Sequence, residues 1–234
     1  DNDITPSNGL TGNDLTVENA GLSVYGASTP VAQTYAKGYK DAELGGFVLE
    51  ATDSEGIEVD KITFTGITAS TTEDFVSSVK LMNGSGDKLA DYENVSTDSL
   101  VFDNMDLLVD SGGSEKLVLV GDLRNDAPAT TVQFKIASGN VEYETVSTDK
   151  SGTAGSGETA NLMTVAASSL SVSLDNDTPV SQIFTAGEEG VHYSSYDFTA
   201  SYEPYNLEKL TVSWASTTYA DNIDNLTISS DEGE

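Results

Sequence analysis

The sequence predicts an all-β protein made of antiparallel β-sandwiches repeated in tandem, with the second copy incomplete. Three observations carry this expectation. Segments 116–122 (KLVLVGD), 130–136 (TTVQFKI) and 207–214 (LEKLTVSW) place a β-branched or large apolar residue at every second position. That period suits a half-buried strand. Turn signals at Asn83-Gly84, Gly112-Gly113 and Asn125-Asp126 with Pro128 separate short runs of this kind. Finally, the opening part of the chain recurs about 148 residues further on.

Taken in order, strands are expected near 15–17, 22–25, 45–51, 59–66, 79–82, 99–102, 116–122 and 130–137. Short strands spaced by turns over such a length imply an antiparallel sandwich of immunoglobulin-like (Ig-like) architecture, without the Cys–Trp–Cys core because the chain has no cysteine. A helical turn is expected at 72–79, introduced by a Thr71-to-Asp74 capping pattern, with an ordinary loop as the alternative.

The repeat is read from ordered matches. Residues 15–24 (LTVENAGLSV) answer 163–172 (MTVAASSLSV), and each is followed by Thr-Pro-Val, at Thr29-Pro30-Val31 and Thr178-Pro179-Val180. Leu49 and Ala51 then match Phe198 and Ala200, 59–64 (VDKITF) matches 207–212 (LEKLTV), and Val76, Val79 and Leu81 match Ile223, Leu226 and Ile228. These matches predict a tail of a preceding repeat or an N-terminal extension at 1–14 and an Ig-like sandwich at 15–146. A flexible Gly/Ser/Thr linker follows at 147–160, and the first half of a second sandwich at 161–234. Either the sequence is a piece of a longer array, or strands from a neighbouring subunit complete the half-sandwich.

Composition narrows the function. The 234 residues carry 39 Asp plus Glu against 10 Lys plus Arg, a formal net charge of -29. This surface repels nucleic acid and anionic lipid, and no apolar run is long enough for a membrane helix. With no cysteine and one histidine, His192, Cys-ligated sites and two-histidine metal sites within one chain are excluded. The hydrophobic fraction of 37% indicates a thin core under an acidic skin. Abundant Ser and Thr with few cations suit an exported protein in a saline or calcium-containing medium. The charge serves either solubility alone or a specific cation requirement.

The Leu-Ser-Val…Thr-Pro-Val opening, Glu50-Ala51-Thr52 and the 116–123 strand (KLVLVGDL) together resemble the tandem Ig-like β-sandwich repeats of large prokaryotic surface proteins, of S-layer, stalk or adhesin type. The resemblance implies an extracellular, cell-surface location and a structural or adhesive role. It supplies no catalytic residue.

No catalytic or cofactor-binding residue is expected. A Ser-His-Asp triad would depend on His192, and no nucleophile elbow accompanies it. Residues 155–160 (GSGETA) mimic a dinucleotide fingerprint but have no helix behind them. Ca2+ is the better ligand hypothesis, because it takes six to eight oxygens and acidic turns supply them. The candidate clusters are Asp122 with Asn125 and Asp126, Asp175 with Asn176 and Asp177, and Asp103 with Asp106 and Asp110. Solvated turn residues are the alternative reading of each. Four sequons make Asn83, Asn94, Asn176 and Asn225 candidates for glycosylation. Tyr193, Tyr196, Tyr202, Tyr205, Trp214 and Tyr219 crowd into the second copy, where they fill a core or interface or stack on sugars.

The expected function is that of a non-enzymatic extracellular structural protein. It would be a repeat segment of a layer, stalk or filament, assembling with neighbouring copies and Ca2+. An adhesive or carbohydrate-binding module, as an accessory part of a larger secreted protein, is the alternative.

Overall fold

The computed structural model describes residues 13, 18–67, 71–93, 95, 97–213 and 223–230. The chain divides into two compact units, Asp1–Glu203 and Pro204–Glu234. The first is nearly all β, with one helical turn. Its elements are β1 (Leu22–Gly26), β2 (Thr34–Ala36), β3 (Ala42–Ala51), β4 (Ile57–Gly66), α1 (Thr72–Phe75), β5 (Val76–Asn83), β6 (Lys88–Glu93), β7 (Ser99–Phe102), β8 (Leu107–Val109) and β9 (Ser114–Leu123). There follow β10 (Thr130–Val132), β11 (Phe134–Ile136), β12 (Val141–Thr145), β13 (Ser151–Ala154), β14 (Glu158–Thr159), β15 (Met163–Ala166), β16 (Ser169–Leu174) and β17 (Tyr196–Ser201).

One antiparallel sheet has the order β1-β3-β9-β5-β6. Its two central long strands owe their place to dense apolar runs. Leu44, Phe47 and Leu49 of β3, and Leu117 and Leu119 of β9, are fully buried. A second sheet forms around β4, with β12 and β11 along one edge and β7 and β8 along the other. Alternation puts Ile57, Val59, Ile62 and Phe64 of β4 into the interior. The two sheets share one core, where Phe47 meets Phe64 at a centroid distance of 5.4 Å and Phe102 meets Phe64 edge-on at 5.7 Å. Burying each such ring contributes roughly 1.5–3 kcal/mol before the entropy of ordering is subtracted.

The predicted helical turn is a single turn at Thr72–Phe75. Thr71 donates its hydroxyl to the Asp74 carboxylate at 3.0 Å rather than receiving a backbone N–H as a cap. Val76 and Val79 are needed by the sheet, so the chain turns extended at once. The run expected at 130–137 is broken at Gln133. Its first half pairs with β15 and its second with β4, while the Gln133 amide donates to the Ala160 carbonyl at 2.8 Å. A third, small sheet of order β10-β15-β2 results, and β15 runs parallel to β2.

Two further expectations are corrected. Segment 147–160 is not a flexible linker: β13 pairs with β12, β14 pairs with β11, and Ala154 and Ala160 are buried. Small Gly, Ser and Thr residues here serve close approach rather than flexibility. A Cβ on Gly152 would fall 2.5 Å from the Tyr143 ring, and Gly155 has φ +111° and its Cβ would strike the Ala137 carbonyl. Met163–Ala166, assigned to the second copy, completes the first copy's small sheet, with Met163 and Val165 buried. The strand expected at 15–17 lies outside the described residues.

β16 and β17 form a separate two-stranded sheet whose register resembles that of β1 with β3. Leu22 stands opposite Ala51 and Val24 opposite Leu49, and Leu170 likewise stands opposite Ala200 and Val172 opposite Phe198. The environments differ. Val24, Leu49 and Ala51 are buried, whereas Val172 is 55% and Phe198 42% exposed. In the second unit, the described residues 204–213 and 223–230 contain no strand. Leu207, Leu210 and Val212, expected to alternate as β4 does, are exposed. A strand is held by paired neighbours, and no described residue supplies the partners that β7, β8, β11 and β12 supply to β4.

Candidate functional site

Two surfaces of the first unit combine unusual chemistry with defined geometry. One is an acidic groove and the other an apolar sheet face.

The groove, of about 570 Å3, lies over β4, β12 and β13 and is lined by Glu58, Asp60, Asp106, Glu142 and Glu144 around Tyr143. Its charge follows from the pleat. In β4 the order Ile57-Glu58-Val59-Asp60 buries the apolar residues and exposes both acids. A bulge then intervenes: Tyr143 pairs with Val59 and Glu142 with Lys61, leaving Asp60 as the extra residue. Asp60 and Lys61 therefore both face outward between buried Val59 and Ile62. Lys61 takes Glu142 at 2.6 Å. That hydrogen bond is the first cause holding the Lys61 ammonium above its ordinary pKa range. Glu58, Asp60, Asp106 and Glu144 have no comparable ion pair among the described residues. The alternation of acids in 57–60 and 141–144 is legible in the sequence, but their juxtaposition depends on a strand pairing across 80 residues or so.

The candidate calcium ligands are distributed by the fold. Asp122 accepts the Asp41 backbone N–H at 3.1 Å and Lys40 Nζ at 3.1 Å. The Asp41 N–H, with Lys40 second among the favourable contacts, holds the Asp122 carboxyl below its usual range against the effect of partial burial. Asp41 in turn binds Lys80 at 2.6 Å, so these groups fasten the β2–β3 turn to β9 and β5. Asn125 packs on Gly38, whose φ of +79° and 2.0 Å approach of a built Cβ to Asn125 Oδ1 exclude a side chain there. Asp126 faces Glu73, Asp74 and Arg124 in another open depression. Asp175 receives the Asp177 N–H on its carboxylate, and the Asp175 carbonyl receives the Thr178 N–H at 3.1 Å, which makes a closed turn with Asn176 exposed. Of the third cluster, Asp106 joins the acidic groove, and the Asp110 carbonyl closes the turn before β9 by accepting the Gly113 N–H at 2.8 Å. Among the described residues no three His, Asp or Glu side chains converge as a metal centre.

The apolar face belongs to β16 and β17. Leu170, Val172 and Leu174 alternate with Ser169, Ser171 and Ser173, and opposite them stand Ala200, Phe198 and Tyr196. One side of the hairpin is thus wholly apolar and the other polar, with Asp197, Thr199 and Ser201 on it. β17 ends at Ser201, and Tyr202 turns into the left-handed region at φ 68°, which ends the shared face. Phe184 and Tyr193 meet at 5.9 Å in the connecting segment, and Trp214 and Tyr219 lie outside the described residues. His192 Nε2 and Ser195 Oγ are 2.8 Å apart within the same exposed connection, and Thr178 Oγ1 grips the Ser195 backbone at 2.9 and 3.0 Å.

The sequons are placed differently from one another. Asn83 ends β5, its Oδ1 accepting the Ser85 and Asp87 N–H groups at 3.0 and 2.7 Å. Asn176 and Asn225 are exposed, and Asn94 lies outside the described residues.

No family model matches the chain, and no curated protein matches it. Among solved structures, a family 123 glycoside hydrolase from Clostridium perfringens, described for glycolipid glycan hydrolysis, aligns at 11% identity and a TM-score of 0.28. The alignment covers 64% of this chain and 27% of that enzyme's chain, a likeness too low to bear on fold or function.

Proposed function

We propose that this chain is a non-enzymatic extracellular structural protein, a tandem Ig-like repeat segment of a cell-surface layer, stalk or filament that assembles through subunit contacts and Ca2+. The observation that carries this reading is the duplicated hairpin register, Leu22–Ala51 with Val24–Leu49 and Leu170–Ala200 with Val172–Phe198. Only Ala167 and Ser168 separate β15, the last strand of the first copy's sheets, from β16. So short a connection leaves little length for independent motion, as a spacer requires. Antiparallel ladders such as β3–β9 give the first copy a backbone lattice that resists extension. The net charge of -29 keeps copies apart until cations screen it, since exposed charges interact over about 8–10 Å at physiological salt. Ca2+ suits an oxygen-rich surface such as the groove lined by Glu58, Asp60, Asp106 and Glu144.

Negative-stain microscopy with millimolar Ca2+, and again after chelation, tests the proposal. Ordered sheets or fibres that dissolve on chelation are the expected result. Dispersed particles under both conditions would remove self-assembly from the reading.

A further inference from the structure

Tension that enters ahead of β1 and leaves after β15 acts at opposite ends of β9. On the entry side the Thr52 N–H donates to the Gly21 carbonyl at 3.0 Å, and the Ala51 N–H donates at 3.0 Å to that of Gly113, just before β9. On the exit side the Lys37 N–H donates to the Ala166 carbonyl at 2.9 Å, and the Gly38 N–H donates at 3.1 Å to that of Arg124, just after β9. The ten residues of β9 span about 33 Å, so the load runs along the strands rather than across them. We propose that the parallel pair β2–β15 is a shear clamp, the element that bears this load, and that β1 yields before it. The inference rests on the spacer reading above and names the strands in which its resistance resides.

β1 is the weaker of the two loaded strands. It is paired with β3 alone, along five rungs at the edge of its sheet, and only Val24 among its residues is buried. Once β1 leaves, the segment before β2 takes the tension. There the Asn161 amide donates to the Ser28 and Pro30 carbonyls at 3.1 and 2.9 Å, and Lys116 Nζ donates to the Thr29 hydroxyl at 2.6 Å. Beyond these bonds the force reaches β2 at its N-terminal end, Thr34, while β15 is drawn from its C-terminal end, Ala166. The strands are parallel, with Thr34 beside Thr164, Tyr35 beside Val165 and Ala36 beside Ala166. Opposite ends of one ladder are therefore pulled apart, and its bonds must stretch together. Single backbone hydrogen bonds contribute little each, so simultaneous loading is what makes a short ladder resistant.

Neither strand of the clamp is free to slide. β15 is held on both edges, antiparallel to β10 and parallel to β2, and Met163 and Val165 are buried. β2 has β15 as its one strand neighbour among the described residues, but the Tyr35 hydroxyl fastens it to β3. That hydroxyl accepts the Glu43 N–H at 3.0 Å and the Gln33 amide at 2.6 Å, and donates to the Glu43 carbonyl at 3.1 Å. Tyr35 is itself buried, so water does not compete for these bonds.

The test is single-molecule pulling of the whole chain, which has no cysteine, through pairs of introduced thiols. Handles at Glu18→Cys and Ala167→Cys load the clamp lengthwise. Two events are expected: a weak one that frees about 15 residues, roughly 5 nm, and a strong one that frees about 130 residues, roughly 45 nm. Handles at Lys40→Cys and Ala167→Cys pull on the same end of both parallel strands and open the ladder bond by bond. At one loading rate this second geometry should rupture at no more than about half the force. Forced unfolding follows the barrier rather than the equilibrium stability. Tyr35→Phe should therefore lower the lengthwise force more than Leu81→Ala, a core truncation in β5, although Leu81→Ala lowers the urea midpoint more. Equal forces in the two geometries, a first event that already frees the long segment, or forces that simply follow the urea midpoints would each overturn the proposal. Ordered sheets or fibres alongside equal forces would sink the clamp and leave the assembly reading standing. A direction-dependent clamp in a chain that never assembles would do the reverse.

Discussion

Glu58 of β4 and Glu144 of β12 stand directly opposite each other, two carboxylates on one rung of an antiparallel pair. Both are exposed, and Asp60 and Asp106 line the same groove. Like charges in this position oppose the pairing that β4 needs. Glu144→Lys should therefore stabilise the fold by about 0.5–1 kcal/mol at low salt. Urea unfolding at about 20 mM and about 500 mM salt checks this, because screening should shrink the gain. A gain unaffected by salt would mean that repulsion across this rung is not its source.

Acid should weaken the fold through identifiable groups. Glu55 accepts the Thr148 hydroxyl at 2.7 Å and the Ser147 N–H at 2.9 Å, closing the turn between β12 and β13. The Thr148 hydroxyl is the main cause that holds the Glu55 carboxyl below its ordinary range, and the Asp41 N–H does the same for Asp122. A carboxyl depressed in the folded state contributes stability above its unfolded pKa and loses it as pH falls through the folded value. Glu55→Gln and Asp122→Asn should thus be less stable than the parent at pH 7. The difference should close below the carboxylate range. Parallel unfolding curves from pH 7 to pH 2 measure it. A difference that stays constant to pH 2 would place the effect in packing instead.

The sequence made the long strands legible because their apolar residues alternate within a few positions of one another. β4, β7 and β9 lie where Ile62 and Phe64, Leu100 and Phe102, and Leu117 and Leu119 mark a buried period. Both Leu-Ser-Val segments matched in the sequence lie in strands, β1 and β16. The small sheet was not. β2 is three residues long, and it is ordered by lying parallel to β15, some 130 residues away. Residues 147–160 read as a linker because Gly, Ser and Thr signal flexibility locally, while their packing against Tyr143 and Ala137 is a long-range fact. The acidic groove was missed for the same reason: Glu58 meets Glu144 only through the β4–β12 register.

Positions matched by the sequence comparison should respond unequally to the same truncation. Leu49, opposite Val24, and Phe198, opposite Val172, are matched by sequence, yet Leu49 is fully buried and Phe198 is 42% exposed. Leu49→Ala removes buried methyl groups and leaves a cavity against Val24 and the facing sheet, at a cost of about 2–5 kcal/mol. Phe198→Ala removes a ring already in contact with water and should stay within about 1 kcal/mol. Denaturant unfolding of the two variants decides the matter. Equal large losses would mean that the hairpin's apolar face is covered in solution by another part of the same chain.

Proteolysis should pass over 147–160 and strike further on. Glu158 lies in β14, paired with β11, and the Ala160 N–H is bonded to the Phe134 carbonyl at 2.9 Å. Cleavage there requires several residues to leave the sheet together, so it samples only rare openings. Glu188 and Glu189 lie instead in the strand-free connection between β16 and β17, and both are exposed. That connection is held near its ends by the Thr178–Ser195 bonds, while Glu188 itself only closes a local turn, its N–H on the Thr185 carbonyl at 3.1 Å and its carboxylate on the Thr185 N–H at 3.1 Å. A Glu-specific protease should therefore cut after Glu188 or Glu189 well before it cuts the bond after Glu158. Mass spectrometry of a time course reads the order directly. Early cleavage after Glu158 would mean that β13 and β14 open in solution, and residues 147–160 would then act as a hinge ahead of the second copy.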